Sequence, residues 1–222
     1  MNTGAGKTLV GLLMLHSKMI ETRERSLYLC PDKQLVSQVI EQSRHYNIPT
    51  CFMADGDSDF PEDFLNKKSI LITTVQKLFN GKNIFDKDRI AVGSILFDDA
   101  HKCVEKVFDQ YTIRINKNLA AYSELLTLFE EEIKKQESGS YEGILSGVSD
   151  YFIKLPFWSW NNKRDEVINI LKSYIANPDV LLFKWDLFIN DYSKYELYFD
   201  SYHIEISPIK CNTKRIQTYY KA

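Results

Sequence analysis

Short unbroken apolar runs recur through the first hundred residues, each parted from the next by polar or helix-patterned sequence, and this alternation constrains the fold more than any other feature. The runs are Ser26 to Cys30, Thr50 to Met53, Ser69 to Thr73 and Gly93 to Phe97, with helical patterns from about Asp32 to His45 and from Val75 to Phe79. Strands that alternate with helices build βαβ units and hence a parallel sheet. Such a sheet is covered on both faces, so its strands are apolar on both sides. Ser-Leu-Tyr-Leu-Cys, Ile-Leu-Ile-Thr and Ser-Ile-Leu-Phe have this continuous character and lack the in-out alternation of a half-exposed strand.

Beyond about Lys102 the texture changes. Stretches rich in Glu, Lys, Tyr and Phe predict helices over Lys117 to Gln136, Tyr141 to Ile153, Lys163 to Ala176 and Pro178 to Tyr192. Glu137-Ser138-Gly139-Ser140 reads as the turn between the first two, and Asn177-Pro178-Asp179 as a break with a helix start. The expected organisation is an α/β unit over 1–102, a helical unit over 103–206, and the start of a return to the first unit over 207–222, with Tyr202 to Ser207 leading back. Leu119, Tyr122, Leu125, Leu126 and Phe129 form one packed helix face. Glu130, Glu131 and Glu132 with Lys134 and Lys135 form a solvated face of i,i+4 pairs. Phe157, Trp158 and Trp160 beside Lys154, Lys163 and Arg164 offer an aromatic, basic surface, but clustered aromatics more often bury area than stack bases, and core packing is the stronger reading.

At 222 residues, 44% hydrophobic and 26% charged, the chain has the makings of one or two ordinary soluble domains. A net charge of -2 excludes a global basic footprint, so any contact with nucleic acid has to be local. Cys30, Cys51, Cys103 and Cys211 are far apart and show no metal-binding spacing, which leaves them as reduced thiols. The apolar runs Leu9 to Leu15 and Val180 to Phe183 are too short to span a bilayer, and no basic-then-apolar leader precedes them. A cytoplasmic protein without a membrane partner is expected.

Asn2-Thr3-Gly4-Ala5-Gly6-Lys7-Thr8 runs directly into Leu9, Val10, Leu12, Leu13 and Leu15, so a glycine-rich loop opens into an apolar helix. In that setting Gly4 and Gly6 permit close backbone approach to a phosphate, and the amides from Thr3 to Thr8, Ala5 included, supply positive partial charge. Lys7 then reaches the β- and γ-phosphates, and Thr8 offers a hydroxyl to magnesium. A glycine turn ahead of a helix is the plainer alternative, but turn geometry makes no demand for Gly-Lys-Thr. The full pattern would place a further small residue where Met1 stands, and no strand precedes the loop.

Gly93-Ser94-Ile95-Leu96-Phe97-Asp98-Asp99-Ala100-His101 is an apolar run ending in two carboxylates and a histidine. Alone, Asp-Asp at a strand end is a turn signal. Beside a phosphate loop, Asp98 is suited to hold magnesium, and Asp99 to orient or deprotonate the water that attacks the γ-phosphate.

Taken together, these residues resemble the first RecA-like domain of superfamily 2 DExD/H-box helicases: Thr3 to Thr8 resemble motif I and Asp98 to His101 motif II. Leu29 to Gln38, with Pro31, Lys33 and Gln38, is similar to motif Ia, and Ile72 to Leu78 to the motif Ib region. The resemblance implies a RecA-like P-loop NTPase sheet of α/β class with a mainly helical insertion between motifs II and III, where arch-bearing DNA-repair helicases also carry one. It implies ATP and Mg2+ as cofactors, Lys7 and Asp99 as catalytic groups, and His101 as the residue coupling nucleotide state to the cleft between motor domains. It also implies that Pro31, Lys33, Gln38, Thr74 and Gln76 face the backbone of single-stranded or duplex nucleic acid, DNA ahead of RNA. Gln38 and Gln76 as solvated helix residues and Thr74 as a helix cap are the competing structural roles. The family usually has Glu where this chain has Asp99, one methylene shorter, which predicts slower hydrolysis.

Neither a Ser/Thr-Ala-Thr motif III nor an arginine-bearing motif VI is found. The expectation is therefore the ATP-binding part of a helicase, a fragment whose second RecA-like domain or partner chain lies elsewhere and which hydrolyses ATP weakly by itself. A helical interaction or regulatory module with a vestigial P-loop is the alternative from a different class. Some other P-loop NTPase is a third reading, disfavoured by the motif Ia and Ib matches.

Overall fold

The computed structural model describes residues 6–53, 57, 59–82, 84–137, 139–147 and 151–209. The chain divides into two compact units after Val107. In the first, α1 (Lys7–Thr22) leads to β1 (Ser26–Cys30), α2 (Lys33–His45), β2 (Thr50–Phe52), the short α3 (Glu62–Leu65), β3 (Ile70–Thr74), the short α4 (Val75–Leu78) and α5 (Ile84–Lys87), β4 (Ser94–Phe97) and the greater part of α6 (Ala100–Tyr111), whose last turn belongs to the second. The four strands form one parallel sheet in the order β2-β3-β1-β4.

Unbroken apolar strands do here what the sequence predicts. Tyr28, Cys30, Ile70 and Ile72 point to one face, where Leu12, Leu15 and Met19 of α1 and Val39 of α2 cover them. Leu27, Leu29 and Leu71 point to the other, against Phe64, Val75, Leu78, Phe79, Phe85 and Cys103. Both faces are dry, and burial of some twenty apolar side chains at about 1.5–3 kcal/mol each is the main force holding the sheet. Two caps set the helix boundaries. Asp32, extended at φ -149°, accepts from the Leu35 amide at 2.9 Å and starts α2. Arg23, in the left-handed region at φ 54°, ends α1 by donating its amide to Met19.

The second unit holds β5 (Ile113–Asn116), α7 (Ala120–Leu128), α8 (Glu130–Gln136), α9 (Ser140–Ser146), β6 (Phe152–Lys154), α10 (Phe157–Asn162), α11 (Arg164–Leu171), α12 (Trp185–Asn190), β7 (Tyr195–Asp200) and β8 (His203–Pro208). It is mainly helical, as expected, and also contains an antiparallel sheet, β5-β8-β7-β6, that the sequence reading did not foresee. Its strands alternate, with Ile113, Ile115, Leu197, Phe199, Ile204 and Ile206 inward against Tyr122, Leu125, Leu126, Phe129, Trp160 and Leu171. Arg114, Glu196, Tyr198 and Glu205 point the other way.

Three expectations are corrected. Residues 103–107 belong to the first unit, because Cys103 is buried in its core as the first turns of α6 pack there. Tyr202 to Ser207 do not lead back to that unit: most of the stretch is β8, paired with β5 from Ile113↔Ile206 to Asn116↔His203 and with β7 on its other side. The expected helix over 117–136 is two, broken at Phe129, whose φ of -108° and ψ of 14° end α7 and begin α8. The remainder of the expected return, residues 210–222, lies outside the described residues.

Candidate functional site

Gly6 caps α1 with φ 72° and ψ 15°, a left-handed conformation that L side chains rarely adopt; its Cβ position is open space, so the backbone and not crowding demands glycine. Lys7, the first helical residue, is exposed, and Thr8 is half-buried in the same turn. Thr3, Gly4 and Ala5 lie outside the described residues.

Asp98 follows β4 directly, and its amide donates to the Leu29 carbonyl at 2.8 Å, which fixes it beside the end of β1. Its carboxyl group titrates above the usual carboxylate range, raised first by burial and then by the neighbouring Asp99 charge. Asp99 has φ 47°, a strained setting that Asp tolerates better than most residues. Its carbonyl accepts from the Cys103 amide at 3.0 Å and its carboxylate lies 3.4 Å from Lys102 Nζ, so it also starts α6. His101 is exposed in the first turn of that helix.

Residues ninety positions apart in sequence meet at the carboxyl ends of the strands, the edge where open parallel sheets bind ligands. Tyr28, in the middle of β1, lies under α1, and burial first and then the Asp98 charge push its hydroxyl up. Hard oxygens from a threonine and an aspartate, the latter partly desolvated, suit a magnesium ion. Tyr28 belongs to no motif; its one sequence signal is a phenol hydroxyl between two leucines.

The residues expected to face nucleic acid separate into three settings. Lys33 and Thr74 line one groove, together with Arg44, Lys77, Glu41 and the exposed ring of Phe52. Gln38 lines a different depression, between α1 and α2, with Gly6 and His45. Pro31 is buried, and Gln76 is half-buried in α4 with its carbonyl accepting from Asn80 at 2.6 Å. Thr74 caps α4 by position, without a side-chain hydrogen bond. Arg44 and Lys77 carry no motif signature, and only the fold reveals that they join Lys33.

The aromatic cluster of the second unit also divides. Trp160 is core, stacked on Tyr192 at 4.2 Å, whereas Phe157 and Trp158 are exposed. The nearby cations already have partners within the chain: Lys154 on Glu196, Lys163 on Glu132, and Arg164 over the Tyr192 ring.

A parallel α/β sheet with a Gly-Lys-Thr turn opening α1 and a strand-end carboxylate beside it defines the RecA-like P-loop class. The chain belongs to the DEAD/DEAH box helicase family, whose sequence model matches residues 1–133. Among solved structures it is similar to the one described as "Structure of S. tokodaii Xpd4", with a TM-score of 0.51 and 15% identity over 97% of this chain. The chain spans about half that protein, 48% of its length. No curated protein matches it. No helix among the described residues is long and apolar enough to cross a membrane.

Proposed function

We propose that this chain supplies the ATP-binding half of an ATP-driven nucleic-acid motor, acting on single-stranded or duplex nucleic acid, DNA ahead of RNA, from the cytoplasm. The observation that carries the reading is the close packing of α1, which opens with Gly6, Lys7 and Thr8, on Tyr28 and Leu96 of the sheet whose carboxyl edge holds Asp98 beside the end of β1. Lys7, free to extend from the first turn of α1, neutralises charge on the β- and γ-phosphates, and the helix N-terminus adds its partial positive charge. Thr8 and Asp98 would hold Mg2+, which would supply positive charge to offset that of the phosphates. Asp99 orients the attacking water, and His101, exposed and able both to donate and to accept, faces whatever second RecA-like domain or partner chain completes the site.

The test is fluorescence anisotropy of an ATP analogue titrated with the purified chain. Binding that tightens when magnesium replaces EDTA is expected; no magnesium-dependent binding would leave the family fold with a vestigial loop and overturn the proposal.

Nucleic acid is read by the groove holding Lys33, Arg44, Lys77 and Thr74, because three cations on one concave surface supply the local charge that the whole chain lacks. The Lys33→Glu, Lys77→Glu double variant is expected to weaken binding to a fluorescent single-stranded oligonucleotide at least tenfold at low salt. It should also flatten the logarithmic salt slope by about 0.7 for each lost phosphate contact. An unchanged slope would move the interface elsewhere.

A further inference from the structure

Phe52 ends β2, the strand at one edge of the parallel sheet. Strand alternation puts it on the face opposite Met53, which is buried in the core, and on the same face as Thr50. The Thr50 hydroxyl meets the Ser43 hydroxyl of α2 at 2.6 Å, so this is the face that α2 covers. Two residues further on the cover is incomplete, and Phe52 is 47% exposed. Its backbone is nonetheless held in register opposite Ile72 of β3. Other phenylalanines of the unit behave differently: Phe64 and Phe85 both pack against Phe60 in the core.

A single exposed apolar side chain is commonplace; the company of this one is not. One face of α2 lines the groove beside it, with Lys33 and Arg44 three turns apart, about 16 Å along the helix axis. Lys77 of α4 joins them, and Glu41 is the one acidic group among the described residues of the lining. Ile40, Arg44 and Phe52 also line an adjoining depression along β2, so the ring stands where two hollows meet. Cations hold phosphates whatever the bases are doing, and by themselves do not distinguish an unpaired strand from a duplex. An aromatic ring set among them does. An unpaired base can lay its face on the ring, whereas a base within a duplex is stacked between its neighbours. Leucine would cover the groove equally well but offers no flat π surface.

We propose that Phe52 is a stacking platform for an unpaired base, and that the groove therefore takes single-stranded nucleic acid in preference to duplex. Lys33, Arg44 and Lys77 hold the phosphates on either side while the ring holds the base. Anchored between α2 and β3, the platform is preformed and loses little freedom when a base settles on it.

This inference rests on the reading of the groove as the nucleic-acid interface, and its test separates the two. Anisotropy is measured with three fluorescent probes of equal length: oligothymidylate, an abasic strand with the same phosphates, and a duplex. Wild type that binds none of them, or whose binding survives Lys33→Glu with Lys77→Glu unchanged, refutes the groove reading itself. Given binding in the groove, wild type is expected to hold oligothymidylate more tightly than either other probe. Phe52→Leu is then expected to lose about fivefold to 100-fold on oligothymidylate, the usual effect of removing a stacked ring, with its salt slope unaltered. Its affinity for the abasic strand and the duplex should stay that of wild type. Equal losses on all three probes, or no loss on oligothymidylate, would overturn the stacking role, since a merely structural phenylalanine has no means of sensing bases. Phe52→Trp keeps an aromatic face and should retain the preference; its loss there would count against the proposal. Phe52→Ile, well suited to a strand, repeats the measurement should the leucine variant fail to fold.

Discussion

Lys7→Ala is expected to weaken binding of a magnesium–ATP analogue about 100-fold, with no loss of stability. A charged hydrogen-bonding group facing phosphate contributes about 3 kcal/mol, and each 1.4 kcal/mol is tenfold in affinity. Lys7 is exposed at the start of α1, so truncating it empties no core and leaves the Gly6 cap untouched. Anisotropy titration measures the affinity and thermal unfolding the stability. Unchanged affinity would show that the phosphates lie elsewhere, whereas a large drop in melting temperature would show that Lys7 supports the helix.

The second large effect concerns the other unit. Trp160→Ala should destabilise it by about 3–5 kcal/mol, the usual range for emptying a buried tryptophan site. Trp160 is 1% exposed, lies flat on Tyr192, and donates its indole N–H to the Tyr192 carbonyl at 3.3 Å. Tyr192 returns the bond, its hydroxyl donating to the Trp160 carbonyl at 2.9 Å. Removing the indole therefore opens a cavity and also leaves the Tyr192 carbonyl without its donor, while the bond from the Tyr192 hydroxyl to the main-chain carbonyl of residue 160 is kept. Trp158→Ala, two residues away but 68% exposed, should shift stability by less than about 0.5 kcal/mol. Urea unfolding of both variants measures the contrast. Equal shifts would mean that the stacked pair does not hold the unit together.

The parallel sheet was legible in the sequence because each of its strands is a self-contained signal. A run such as Ser26 to Cys30, with no charged residue and no in-out alternation, has few places to go other than a strand covered on both faces. Asp32 announced the start of α2 in the same local way. The sheet of the second unit failed to show itself for the opposite reason. Tyr195, Leu197 and Phe199 do alternate with Glu196, Tyr198 and Asp200, but amid many aromatics and charges that alternation competes with a helical pattern. Its partners are distant too: nothing near Ile113 indicates that Ile206 will lie beside it. Periodicity reports which faces are apolar; which strands pair is decided by the packed core.

The candidate site divides along the same line. Gly6, Lys7, Thr8 and Asp98 are visible because phosphate and metal chemistry permits few residue types at those spacings. Tyr28 and Arg44 are invisible, since a tyrosine in a strand and an arginine near a helix end are commonplace until the fold sets one under α1 and the other beside Lys33. Of the acidic run, Glu130 and Glu131 keep the expected i,i+4 partners, while Glu132 turns inward to Lys163 at 2.9 Å.

The pairing of β5 with β8 has a consequence for how such a unit is carried in a longer chain. The second unit begins and finishes on adjacent strands, Ile113 alongside Ile206, so the polypeptide comes in and goes out at neighbouring points of one sheet. A module with side-by-side ends can be spliced into a surface loop of another domain without prying that loop open. The cost to its host is little more than closing a short gap. Built this way, the unit is portable: it can be lost, exchanged or enlarged over evolutionary time while the parallel sheet of the first unit stays as it is.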